Sequence, residues 1–111
     1  MLLKLNDRQK LLGKSAIERT ESRVHSAFAK FSDYVKSIDI TVKDVNGPRG
    51  GIDKICRILV KLRGRKDVVI KASDSSISKV VPDAIERALR SVGRQINRRQ
   101  IRAARVHRLE A

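Results

Sequence analysis

Acidic side chains are scarce in this sequence: 12 Asp and Glu stand against 26 Lys and Arg, so 111 residues carry a formal charge of +14 and a pI near 10.9. An excess of that size points to a polyanionic partner. Aromatic residues are scarcer still, with no Trp and only Phe28, Phe31 and Tyr34. Single-stranded nucleic acid is commonly gripped by stacking bases on aromatic rings presented from a sheet, and no such platform is visible. Phe28 and Phe31 instead continue the row Ile17, Glu21, Val24, a helical spacing that plugs rings into a core. Positive charge without stacking residues argues for folded RNA, or another polyanion, met through its phosphates.

A single cysteine, Cys56, excludes an internal disulfide. Its context, Cys56, Ile58, Val60 and Leu62, alternates as a half-buried strand does, which makes it a small core residue. The longest stretch without Asp, Glu, Lys or Arg is residues 24–29. A membrane span needs about 20 apolar residues and the apolar core of a secretion signal at least about 7. Neither a span nor a signal is expected, and the expected location is a reducing cytoplasm. Length adds a further exclusion, since a chain this size builds one core and not a cofactor domain plus a substrate domain. Hydrophobic content of 41% separates it from a disordered basic tail.

What is present reads as alternating elements. Residues 1–6 can form a short strand. Ser15 and Glu18 have capping-box spacing, and an amphipathic helix follows to about Phe31. Ile38, Ile40 and Val42 alternate with polar residues as a strand; Asn46, Gly47, Pro48, Arg49, Gly50 and Gly51 make a turn-rich segment. Strands follow from about Ile52 to Leu62 and over Val68, Val69 and Ile70. Asp74, Ser75 and Ser76 offer N-cap chemistry to a last helix with Ile77, Val81, Ala84, Ala88 and Val92 on one face. Pro82 requires that its regular part begin near Ser78 or bend there. The expectation is an α+β fold in the order β-α-β-β-β-α, with two helices on one face of a four-stranded mixed sheet and the first strand parallel to the second.

No catalytic or metal chemistry is legible. Gly13, Lys14 and Ser15 suggest a phosphate loop, but the pattern needs a glycine where Arg8 stands. His25, His107 and Cys56 lack metal-ligand spacing, and no nucleophile has an evident base. We expect no enzyme, no cofactor, no metal and no small-molecule substrate. The strongest signal lies in the last helix, where Arg87, Arg90, Arg94, Arg98, Arg102, Arg105 and Arg108 recur mostly at spacings of three and four. At 100° per residue they fall within an arc of roughly 120°, away from the apolar face. A merely solvated face would alternate signs for i to i+4 pairing, yet acids are absent between Glu86 and Glu110. Arginine also suits bidentate phosphate contacts. A second candidate is the glycine-rich loop with Lys43, Arg49 and Lys54 around it, for which a plain hairpin turn is an equally good reading.

Residues 42–58, Val-Lys-Asp-Val-Asn-Gly-Pro-Arg-Gly-Gly-Ile-Asp-Lys-Ile-Cys-Arg-Ile, resemble the strand-loop-strand segment of the ribosome hibernation promoting factors, also called ribosome-associated inhibitor or sigma-54 modulation proteins. The element order and the segment Asp83-Ala84-Ile85-Glu86-Arg87-Ala88-Leu89 are similar to that family as well. The resemblance implies a factor on the small ribosomal subunit and its rRNA near the decoding region, one that excludes messenger and transfer RNA and preserves idle ribosomes under stress. Carried over by position, it implies RNA contacts at Arg87, Arg90, Arg94 and Arg98, with Lys79, Arg49 and Lys54 as additions. Arg102 and Arg105 join them through the arginine spacing. Residues 1–97 would form the ribosome-binding domain and 98–111 an arginine-rich helical extension. Without a further C-terminal dimerisation domain, the chain looks like a short-type member.

Two rivals differ in kind. A double-stranded RNA-binding domain has the order α-β-β-β-α and fits if the first strand is absent, but it normally has a lysine cluster where this chain has Ser75, Ser76, Ile77 and Ser78. A basic helix lying on anionic lipid needs large apolar anchors, and beyond Ile96 there are only Ile101, Ala103, Ala104, Val106 and Leu109. Membrane binding is not expected.

Overall fold

Period-two alternation in the sequence becomes a four-stranded sheet in the computed structural model, which describes residues 1–45 and 53–110, with 98–110 as helical backbone only. The elements are β1 (Leu2–Asn6), α1 (Lys14–Phe28) with a 3-10 turn at Ala29–Phe31, β2 (Val35–Asp44), β3 (Lys54–Leu62), β4 (Val68–Asp74) and α2 (Ile77–Glu110). The strands lie side by side in chain order; β1 is parallel to β2, and β3 is antiparallel to both of its neighbours, β2 and β4. This is the expected β-α-β-β-β-α arrangement. Because β1 exists, the α-β-β-β-α reading loses its premise.

One face of the sheet is apolar and covered. Ile38, Ile40 and Val42 of β2, Cys56, Ile58, Val60 and Leu62 of β3, and Val68 and Ala72 of β4 are buried. The helices supply the facing residues: Val24 and Phe28 from α1, and Val80, Val81, Ala84, Ile85, Ala88, Val92 and Ile96 from α2. Burying a side chain of Ile or Phe size contributes on the order of 1.5–3 kcal/mol, so these two layers account for most of what holds the chain folded. Phe28 is fully buried and Phe31 packs against the core edge, as the row of helical spacing required.

Local details differ from the expectation in two places, both in α1. The helix α1 begins at Lys14 with Gly13 as N-cap and no side-chain cap, so Ser15 lies inside the first turn and no capping box forms. The preceding turn is set instead by Asp7, whose carboxylate accepts the Leu11 and Leu12 amides at 2.8 Å each and seats Leu12 in the core. The α-helix also stops at Phe28, and the chain tightens into the 3-10 turn before reaching Phe31. The last helix, α2, starts at Ile77, beside the expected Ser78, and continues through Pro82. Proline at that position forfeits one bond, to the Ser78 carbonyl. The first turn is secured by Lys79 and Val80 amides donating to the Ser76 carbonyl at 3.2 and 3.0 Å, and by the Ser76 amide donating to Asp74 at 2.9 Å.

Candidate nucleic-acid interface

The helix α2 is a core element and a lever at once. Its last buried described side chain is Ile96, yet the helical backbone continues to Glu110, about 21 Å further at 1.5 Å per residue. The molecule is correspondingly long, 63 × 24 × 17 Å. Lys79, Arg87, Arg90 and Arg94 are exposed on the helix, off its buried side. Arg98, Arg102 and Arg105 fall where the backbone alone is described.

Two of these arginines have neighbours that the arginine spacing did not weigh. The Arg87 Nε sits 3.2 Å from an Asp83 carboxylate oxygen, and an Arg90 terminal nitrogen lies 3.6 Å from Glu86. Both are exposed i,i+4 pairs, worth no more than about 0.5 kcal/mol each. A phosphate can compete for either arginine at little cost. Arg94 carries no ion pair among the described residues and donates to the Ser91 hydroxyl at 3.1 Å. Positive charge on α2 is therefore partly balanced in its first turns and grows toward its C-terminal half.

A groove of about 350 Å³ separates α1 from the start of α2. Its floor is apolar, with Ala16, Ile77, Val81 and Ile85, while Arg19 and Arg23 of α1 stand along it, one helical turn apart. These two exposed cations were not singled out in the sequence. Glu18 and Glu21 interleave with them and dilute the charge signal, and only the packing of α1 beside α2 puts them next to the second helix.

The glycine-rich loop behaves differently at its neck and at its tip. Arg49 lies outside the described residues. Lys54 is held between two carboxylates, with Nζ 3.0 Å from Asp44 and 3.0 Å from Asp53. The Asp44 hydrogen bond, then that of Asp53, raises the lysine above its ordinary pKa. Asp53 is fully buried. This engagement makes Lys54 a brace for the loop neck, where the sequence suggested a free cation. Gln9 completes the brace from the other side: its amide donates to the Asp44 carbonyl at 3.1 Å and accepts the Asp44 amide at 2.8 Å, pairing with β2 where β1 has ended. Among the described residues no cluster of His, Cys, Asp or Glu could hold a metal ion, and no helix is long and apolar enough to cross a membrane.

No family model matches the sequence, and no curated protein matches it. Solved structures do. A ribosomal subunit interface protein from Coxiella burnetii superposes with a TM-score of 0.69 at 19% identity, covering 85% of this chain and 96% of that one. The N-terminal domain of Protein Y from Thermus thermophilus superposes with a TM-score of 0.66 at 18% identity, covering 85% and 98%. What the chain shares with both is the fold, here a four-stranded mixed sheet with two helices on one face.

Proposed function

We propose that the chain is a ribosome-associated factor that binds small-subunit rRNA near the decoding region, blocks messenger and transfer RNA there, and so silences and preserves idle ribosomes in the cytoplasm. The observation that carries the reading is the arginine-rich helix α2, fixed to the sheet by seven buried residues and running past the core, on a fold similar to that of a ribosomal subunit interface protein. A stiff helix presenting arginines over several turns meets many phosphates at once where RNA strands converge from different directions. A lone duplex offers it one curved backbone. In this reading Arg87, Arg90, Arg94, Arg98, Arg102 and Arg105 contact phosphates, Lys79, Arg19 and Arg23 extend the contact across both helices, Arg49 adds to it from the loop, and Lys54 serves it by stiffening the loop neck. Binding of this kind requires no catalytic group.

The test is sedimentation of tagged protein through a gradient from growing and starved cells, paired with cell-free translation. Co-migration with small subunits or whole ribosomes, and inhibition at stoichiometric protein, is the expected result. Protein that stays at the top of the gradient and leaves translation unaffected overturns the reading. Equal displacement by excess generic RNA duplex and by excess small subunit would favour a double-stranded RNA-binding role instead.

A further inference from the structure

The face of the sheet turned away from both helices is uncovered, and its side chains are not those of a neutral solvated surface. Register places Lys4, Lys43, Arg57, Lys61 and Lys71 on it, all exposed, against Asp39 as the carboxylate among the described strand residues of that face. Arg57 and Lys71 are direct cross-strand partners. Like charges in that relation are about 5 Å apart at Cβ and destabilise a sheet. Neither residue makes an ion pair among the described residues. At one end of the same face, by the C-terminal ends of β1 and β2, lies a concavity of about 590 Å³ lined by Lys4, Arg8 and Lys43 together with Asn6, Gln9, Thr41 and Asp44. Its shape is built: Asn6 donates to the Thr41 hydroxyl at 3.4 Å, and the Gln9 amide is locked to the Asp44 backbone.

We propose that this open sheet face is a second RNA-binding surface, which takes the sugar-phosphate backbone of an RNA segment other than the one met by α2. The inference rests on the proposed RNA-binding role of the chain and adds a second point of attachment to it. Arg57 and Lys71, without an ion pair among the described residues and set against each other across strands, are relieved by an external anion. The amide and hydroxyl of Asn6 and Thr41 suit ribose hydroxyls and phosphate oxygens. With no aromatic residue on this face, it grips backbone and not stacked bases. Since the helices cover the opposite face, the protein is sandwiched between two RNA walls rather than laid on one.

The experiment compares the full chain with Arg57→Gln/Lys71→Gln, and separately with Arg90→Glu/Arg94→Glu, in fluorescence anisotropy against purified small subunits and against a short single-stranded oligouridine, over a range of salt, with thermal unfolding as the fold control. Removing the sheet pair is expected to leave the unfolding temperature unchanged or raised, to weaken subunit binding about tenfold, and to reduce the slope of log affinity against log salt by about 1.5, the release of two phosphates' counterions. Oligouridine binding should weaken too. The single variant Lys71→Glu, which places an acid opposite Arg57, should raise stability while weakening binding. Unchanged affinity and slope in the sheet variant overturn the proposal. Weakened subunit binding with oligouridine binding intact also overturns it, because the occupant is then an acidic protein surface. The helix variant separates the two ideas: full affinity in Arg90→Glu/Arg94→Glu sinks the α2 interface, while loss in the sheet variant still upholds the sheet face.

Discussion

Cys56 shows how one side chain's burial becomes a measurable pH dependence. Desolvation pushes its thiol up to about 12. In the unfolded chain the thiol ionises near its ordinary value, so above about pH 9 the unfolded state sheds a proton that the folded state keeps. The stability associated with this group is intact below pH 9 and is lost as pH rises toward 12, at roughly 1.4 kcal/mol per pH unit. Urea midpoints measured between pH 8 and 11 check this, with Cys56→Ala as the flat control for that contribution. The same burial keeps the thiol unreactive, and alkylation at neutral pH should proceed only at the rate of unfolding. Lys54 makes the complementary point. Lys54→Met leaves the buried Asp53 carboxylate without its cation, which is costly. The unfolding temperature should fall by several degrees, and Asp53→Asn in the same chain should restore most of it. Equal losses in the single and the double variant would show that the uncompensated Asp53 charge is not the cause of the loss. This role was not legible in the sequence, because it depends on β2–β3 register setting Asp44 opposite Lys54 across a ten-residue gap.

At the scale of elements, α2 offers two predictions with opposite signs. Gly93 lies mid-helix, and a Cβ there would meet the Phe31 ring at 3.6 Å, an ordinary contact. Gly93→Ala should therefore stabilise the protein by about 1 kcal/mol through helix propensity, read from denaturant midpoints. A loss of stability would mean that the Phe31 ring has no room to give. Arg90→Glu with Arg94→Glu should do the reverse of a core change: circular dichroism and unfolding temperature stay near the parent, while affinity for small subunits collapses. Phe28→Ala, by contrast, should cost about 3–5 kcal/mol. Much of this helix was readable in advance, since its arginines and its apolar residues each keep a helical period of their own. Its start was harder to place. Pro82 argued for a boundary or bend, but the Ser76 and Asp74 contacts hold the first turn and tolerate the lost bond. The first helix was the reverse case: Ser15 looked like a cap, yet Asp7 organises the turn ahead of the helix through the Leu11 and Leu12 amides, and the helix begins at Lys14 with Gly13 as its N-cap. Strand positions were legible from alternation, whereas their true lengths, such as β2 over Val35–Asp44, come from pairing partners far away in sequence.

For the molecule as a whole, charge decides how it meets its partner. If roughly 4 to 6 phosphates are engaged, log affinity should fall by about 3 to 5 per tenfold rise in salt. Titrations of subunit binding from low to moderate salt give this slope, and a nearly flat line would remove the phosphate model. One feature of the architecture bears on how such a chain comes to exist. The strands lie in chain order within the sheet, but α2 comes last in the sequence and supplies Val80, Val81, Ala84, Ile85, Ala88, Val92 and Ile96 to the core. A nascent chain that has emerged only as far as β4 therefore has a sheet whose apolar side is covered by α1 alone. The hydrophobic surface left open, with an edge strand on either flank, attracts other nascent chains and holding chaperones. Self-repulsion counters this only in part: residues 1–74 carry 17 Lys and Arg against 9 Asp and Glu, a net +8 of the chain's +14, and the remainder arrives with the lid itself. Translation of this protein thus passes through a vulnerable interval that closes only when its final helix clears the machinery that makes it.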